Sequence, residues 1–251
     1  ALLPSEMDGE YVPYAMRYRD SVGALAPSYI RTYDHTTEAL SEPVLLGFSR
    51  RDNHDPPVIT VDSKGYLHVV IGAHHDNFQY TRSLEPNSIT SGWTKPRMFG
   101  NPRPLEGGGS YTYPSLLCDY EDNLHLVSRW AGTDDYRFQL VYQRKLANQE
   151  WEPHRILVSP FRTNYCAWRQ KISMDRYGRL FVSYAYYPDL MTPEERTEYA
   201  RKWPEDATEN PAASGGYDIT LRERGQALLI SDNAGDSWRL ALTKDFVQGL
   251  N

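Results

Sequence analysis

Residues 57–70 read Pro57-Val58-Ile59-Thr60-Val61-Asp62-Ser63-Lys64-Gly65-Tyr66-Leu67-His68-Val69-Val70. A β-branched run ends in an Asp, a tight turn follows, and Leu opens a second apolar run. Gly65 supplies the positive φ that such a turn needs, so the stretch reads as an antiparallel hairpin. The same sentence returns twice. Pro114-Ser115-Leu116-Leu117-Cys118-Asp119 leads through a turn to Asp122-Asn123-Leu124-His125-Leu126-Val127, and Lys171-Ile172-Ser173-Met174-Asp175 leads to Tyr177-Gly178-Arg179-Leu180-Phe181-Val182. Asp62 and Asp119 are 57 residues apart, and Asp119 and Asp175 are 56 apart. A fixed period of this length is the mark of a repeat architecture.

Each hairpin is followed by a third strand-like run and a Trp near a fourth: Tyr80 then Trp93, Tyr142 then Trp151, Leu229 then Trp238. Four strands per repeat describe a propeller blade, so the fold class expected is all-β, a β-propeller of four-stranded blades. The expected blades are residues 54–104, 111–160 and 167–243, the last with an insertion at 190–225. Residues 28–48 read as the outer strands of a partial earlier blade. That makes about four blades in one domain over residues 1–251. The chain then forms either a small four- or five-bladed ring or a piece of a larger propeller, the second being favoured. Thr192-Pro193-Glu194-Glu195-Arg196 inside the insertion reads as a helix start with Pro in its first turn. Ser231-Asp232-Asn233-Ala234-Gly235-Asp236-Ser237-Trp238 resembles the Asp-box of sialidase-like propellers, with Asn233 in the usual Asp place. An Asp-box is a structural turn and speaks for fold, not chemistry.

Composition narrows the function classes. The net charge of −6 over 251 residues argues against a nucleic-acid binder, which normally carries a basic excess. An acidic polysaccharide stays open, because a local cationic pocket can sit on an acidic protein. The 19 Tyr against 7 Phe suit both strands and sugar-contacting surfaces. No apolar run approaches a membrane span. The two cysteines, Cys118 and Cys166, form no disulfide framework. Ala1-Leu2-Leu3-Pro4-Ser5 lacks the long apolar core of a signal peptide, so the chain reads as cytosolic, already processed, or a fragment.

The repeat also predicts which residues meet. Aligned on their Asp residues, His54, Tyr111 and Ala167 share a position, and Pro56, Tyr113 and Arg169 share the one two residues on. At the far end of the second strand, Gly72 aligns with Arg129 and Ala185, and His74 with Ala131 and Tyr187. In a hairpin, the start of the first strand and the end of the second lie at one end, and in a propeller the innermost strands line the axis. His54, His74, Tyr113, Arg129, Arg169 and Tyr187 are therefore expected on one rim. Two His and a Tyr can move protons, and an Arg can hold a carboxylate by two parallel bonds. β-Elimination of a uronic acid needs that combination. The Arg neutralises the C6 carboxylate, a base removes the C5 proton, and an acid protonates O4 as it leaves. No metal or nucleotide is required.

Arg51-Asp52-Asn53-His54-Asp55-Pro56-Pro57, His74-His75-Asp76-Asn77-Phe78-Gln79-Tyr80 and Tyr113-Pro114-Ser115-Leu116-Leu117 through Leu124-His125-Leu126-Val127-Ser128-Arg129 resemble the BNR-repeat family that contains propeller-type ulvan lyases. The resemblance covers roughly residues 28–190. It implies a propeller of the larger, seven-bladed type and a secreted or periplasmic lyase. It also implies an acidic, sulfated rhamnose–uronate polysaccharide as the partner, with no membrane or nucleic acid. By motif it makes His54 and His74 the active-site histidines, Tyr113 the catalytic tyrosine, and Arg129 the carboxylate-neutralising arginine. Asn53, His75, Asn77, Trp130, Arg169 and Tyr187 are further candidates for substrate contacts. Alternatives are a glycoside hydrolase on the same scaffold, rhamnosidase or sialidase-like, and a non-catalytic carbohydrate-binding propeller. A typical hydrolase needs a carboxylate pair, and the aligned rim positions hold none.

Plainer readings stand beside these. Tyr113 reads equally as a packed aromatic, Arg129 as a strand-end cation reaching for water, and Trp130 and Tyr187 as contacts between blades. His68 and His125 recur at equivalent strand positions and read as packing residues. His154 and Cys166 are both good zinc ligands, and some propeller lyases carry a structural metal, zinc or calcium. Two ligands twelve residues apart are not diagnostic.

Overall fold

The structure is a computed structural model of the chain. It describes residues 25–50, 56–72, 77–100, 110–131, 138–159, 168–186, 192–212, 214–219, 225–242 and 244–247. In chain order, β1 (Leu25–Ile30) is followed by the short hairpin β2 (Tyr33–Asp34) and β3 (Ala39–Leu40), and then by β4 (Val44–Arg50), which pairs back onto β1. The first four-stranded sheet is β5 (Val58–Val61), β6 (Leu67–Ile71), β7 (Phe78–Arg82) and β8 (Arg97–Phe99). The second is β9 (Ser110–Cys118), β10 (Leu124–Ala131), β11 (Phe138–Lys145) and β12 (Arg155–Val158).

The third sheet begins with β13 (Trp168–Met174) and β14 (Leu180–Tyr186). An insertion follows, made of α1 (Pro193–Lys202), β15 (Ala207–Glu209) and β16 (Tyr217–Ile219). The sheet resumes with β17 (Gly225–Ser231) and β18 (Arg239–Leu240), and α2 (Lys244–Val247) comes after it. All three sheets are antiparallel meanders, each strand paired with its neighbour in sequence except where the insertion intervenes. These sheets are propeller blades. No helix among the described residues is long and apolar enough to cross a membrane.

The second sheet shows how the blades stack. Seven of the eight residues of β10 are buried. A strand covered on one face only would alternate, so both faces of this sheet are packed. Successive residues divide between two cores. Leu126 joins Val70, Phe78, Tyr111 and Val141 between the first and second sheets, whereas Val127 joins Ile172, Val182, Tyr184 and Leu229 between the second and third. On the far side of the first sheet, Val69 and Ile71 pack on Leu46 of β4. Each fully buried aliphatic residue contributes about 1.5–3 kcal/mol.

The turn that joins the first two strands is the same in all three sheets. Asp62 Oδ1 accepts from the backbone N–H of Lys64 (3.0 Å) and Tyr66 (2.8 Å). Asp119 Oδ1 accepts from Glu121 (2.9 Å) and Asn123 (2.8 Å), and Asp175 Oδ1 from Tyr177 (2.9 Å) and Arg179 (3.0 Å). One carboxylate thus satisfies two turn amides, which is why the sequence repeats an Asp there. The left-handed residue is Gly65, Asp122 and Gly178 in turn. In the insertion, Thr192 caps α1. Its hydroxyl accepts from Glu195 N, Glu195 returns a carboxylate oxygen to Thr192 N, and Pro193 occupies the first turn.

Candidate functional site

Two rims follow from this topology. The Asp turns form one. The other, called the open rim below, is where the first strand of each sheet starts and the second ends. Asn77, Tyr113, Arg129, Trp130 and Arg169 all lie at the open rim. Asn53, His54, His74, His75, Cys166 and Tyr187 fall outside the described residues.

Tyr113 sits on a β-bulge. Across the β9–β10 pair, Ser115 faces Val127 and Thr112 faces Arg129, so β9 carries one residue more than β10 in this interval. Tyr113 takes φ 57°, a left-handed value that a bulky side chain rarely adopts. The third sheet repeats the feature. The β13–β14 register shifts between Trp168 and Lys171, and Arg169, the residue aligned with Tyr113, takes φ 53°. The first sheet has Pro56 at the aligned position, and proline's ring locks φ near −65°, so it cannot copy this bulge.

The bulge redirects side chains. Ser115 and Leu117 of β9 face the third sheet, and Leu116 faces the first. Plain alternation would send Tyr111 toward the third sheet. One extra residue reverses the parity, and Tyr111 is fully buried against the first sheet, its ring 5.3 Å from that of Phe78.

Arg129 is 2% exposed, and its guanidinium carbon lies 4.7 Å from the centre of the Tyr113 ring. This is a cation–π pair held away from water, where such contacts are strongest. The Tyr113 carbonyl accepts from Gln170 Nε2, and Ser115 Oγ accepts from Ile172 N at 3.2 Å. The innermost strands of adjacent blades are thereby tied together beside both bulges. Gln170 is buried and follows the exposed Arg169 directly.

Trp130 and His154 are placed differently. His154 Nδ1 shares a 2.6 Å hydrogen bond with the Tyr111 hydroxyl, and its ring lies 4.6 Å from that of Trp130. Trp130 packs against the core between the first and second sheets, and burial lowers the pKa of His154. One ring nitrogen of the expected metal ligand is therefore engaged by Tyr111. Among the described residues no three His, Cys, Asp or Glu side chains gather as a metal site would require.

His68 and His125, which recurrence at equivalent strand positions marks as packing residues, also hold polar partners. His68 Nε2 meets Asp62 Oδ2 at 3.2 Å and its Nδ1 meets Tyr80 Oη at 2.6 Å. His125 repeats this with Asp119 at 2.9 Å and Tyr142 at 2.7 Å. Burial pushes the Asp119 carboxyl up, but hydrogen bonds from His125 and Asn123 outweigh it and bring the pKa down to about 2. The available signal was the spacing: each His lies six residues after its Asp. These Asp–His–Tyr chains belong to the Asp-turn rim, at the opposite end of the sheets from Tyr113.

Comparison with known proteins adds three findings. A family model described as "BNR repeat-containing family member" matches residues 17–200. The chain is 24% identical over 197 residues to an ulvan lyase of Nonlabens ulvanivorans, a match covering 66% of this chain and 39% of that protein. Its structure resembles the crystal structure of polysaccharide lyase Uly1 with a TM-score of 0.52 and 13% identity, over 84% of this chain and 49% of the other. The chain thus spans less than half the length of either relative.

Proposed function

Because the chain belongs to the BNR repeat-containing family, we propose that it is the part of a polysaccharide lyase that carries the eliminating tyrosine, acting on a rhamnose–uronate polymer such as ulvan. The observation that supports this best is the pairing of Tyr113 with Arg129 at the open rim. A guanidinium against the ring stabilises negative charge developing on the phenolic oxygen. Burial keeps that charge from being screened by water, so it acts strongly on whatever enters beside Tyr113.

In the proposed reaction a uronate carboxylate is neutralised by Arg129. The C5 proton then passes to a base, the C4–O4 bond breaks, and O4 takes a proton from an acid. Tyr113, His54 and His74 share the acid and base roles. If C5–H and O4 lie on the same side, as in a glucuronate, one tyrosine serves both steps. Arg169 and Asn77, at the same rim, contact neighbouring sugars, and Asn53, His75 and Tyr187 are further candidates for substrate contact, whereas Trp130 packs against the core between the first and second sheets. The polymer is too large to enter a cell, so the enzyme acts outside the cytoplasm. The resemblance to ulvan lyase and to polysaccharide lyase Uly1 supports the reaction class.

The test is to mix the protein with ulvan and follow the ultraviolet absorbance of 4,5-unsaturated uronate, with Tyr113→Phe beside it. The expected result is a steady rise that the variant slows by about 10²–10⁴-fold, the size of a lost proton-transfer group. Cleavage to saturated ends would replace the lyase by a hydrolase. A folded protein that binds ulvan without cleaving it would make it a binding propeller.

A further inference from the structure

The repeat makes the two blade interfaces directly comparable on the Asp-turn rim, and they differ in charge. Between the second and third sheets, Arg144 is fully neutralised. Its Nε and Nη2 donate to Glu152 at 3.1 and 3.0 Å, and its Nη1 donates to Asp236 at 2.7 Å and to the Ala234 carbonyl at 3.0 Å. The turn carrying Ala234 and Asp236 closes down on the second sheet, and Gly235 lies directly against the Tyr142 hydroxyl.

Arg82 is the counterpart of Arg144 in the first sheet, since His68 pairs with Arg82 as His125 pairs with Arg144. Glu152 has no acidic counterpart, and Glu150, two residues past Asn148 as Asp236 is two past Ala234, forms no ion pair with Arg82 among the described residues. The Glu152 position, whose N–H bonds the Arg144 carbonyl, is held in the first sheet by Thr94, which bonds the Arg82 carbonyl in the same way. The Ala234 position is Asn148, with the same left-handed φ. Arg82 instead lies over the Tyr66 ring at 4.6 Å, and among the described residues no carboxylate forms an ion pair with it.

A second departure adds charge. Lys145 stands where the other two sheets have a buried serine. Ser83 and Lys145 make the same bridge, to Trp93 and to Trp151, and Ser231 faces Leu180 as Lys145 faces Leu124. The Lys145 ammonium reaches 5.8 Å from the centre of the Tyr80 ring. Burial lowers the pKa of Lys145; Glu150 partly offsets this, and Arg82 lowers it further.

The result is a cavity of about 110 Å³ lined by Lys64, Arg82 and Lys145 with Tyr66, Tyr80 and Asn148. Its acids are already engaged. Asp62 serves His68 and two turn amides, and Asp122 accepts from Ser63 N at 2.7 Å and Ser63 Oγ at 2.8 Å.

We propose that this cavity is a second ligand site, which binds a small oxoanion, the sulfate or carboxylate group of a small molecule, between Arg82, Lys145 and Lys64. The anion takes the place that Glu152 fills beside Arg144 in the next interface. The site lies on the rim opposite Tyr113 and does not depend on the lyase reading.

Isothermal titration tests this with sodium sulfate, sodium glucuronate and neutral glucose, at ionic strength held constant with sodium chloride. Saturable binding of sulfate or glucuronate, and none of glucose, is expected; the tighter of the two identifies the source of the group. Lys145→Ser, which restores the residue of the other sheets, weakens binding about tenfold, the loss of one charge-assisted bond. Thr94→Glu, which installs the missing internal partner, abolishes binding and raises the melting temperature without anion. Absence of saturable anion binding in the wild type overturns the proposal, as does binding unaltered by both Lys145→Ser and Thr94→Glu.

Discussion

Tyr113 and Arg169 hold left-handed backbone at the same place in successive repeats, and only one of them has a ring for a cation to hold. Left-handed φ costs a side-chain-bearing residue about 1–2 kcal/mol. At Tyr113 that cost is set against the cation–π pair and the Gln170 hydrogen bond. Arg169 is exposed and lacks such packing. Arg169→Gly is therefore expected to raise stability by about 0.5–1 kcal/mol, the strain relieved less the flexibility glycine adds to the unfolded chain. The midpoint of urea unfolding reads it. If Arg169 contacts sugar as proposed, the same variant weakens ulvan binding while gaining stability, and the opposed signs separate the two roles.

The Asp turn is the repeated element, and its stability is pH-dependent. The folded Asp119 carboxyl titrates near 2, below its ordinary 3.8. A depressed carboxyl pKa stabilises the fold above the unfolded value, and this contribution fades as pH falls from about 4 toward 2. Asp119→Asn keeps the turn acceptor but removes the charge facing His125, and is expected to cost about 2 kcal/mol near neutral pH. Stability measured from pH 6 down to pH 2 should show the wild type and variant converging at the acid end. Parallel curves would mean the carboxylate is not the stabilising species.

Three sheets stacked face to face make each blade's core partly its neighbour's. Gly235 shows the tightness. A Cβ there would lie 2.0 Å from the Tyr142 hydroxyl, and the residue already has φ 85°. Gly235→Ala is expected to destabilise by about 2 kcal/mol or more, from overpacking and unfavourable φ together. Thermal unfolding monitored at the buried aromatics measures it. A loss well below that would mean the third blade's turn swings away freely from the second.

Periodicity made the blades legible: the Asp turns, the alternating strands and the Trp residues are local signals that recur, and a recurrent local signal needs no knowledge of contacts. It also placed Tyr113, Arg129 and Arg169 at one end of the sheets, because hairpin geometry follows from strand order alone. What the sequence did not reveal depends on a single extra residue or on a neighbour far along the chain. The bulge at Tyr113 leaves no composition signature, yet it reverses side-chain parity and sends Tyr111 to His154. Arg82 and Arg144 hold the same strand position, and tertiary packing decides that Arg144 also meets Asp236 of the next blade while Arg82 faces a cavity. Strand order and turn type are settled within some twenty residues. The bond between Arg144 and Asp236 joins residues 92 apart, and only the packing of one blade on the next brings that carboxylate within reach.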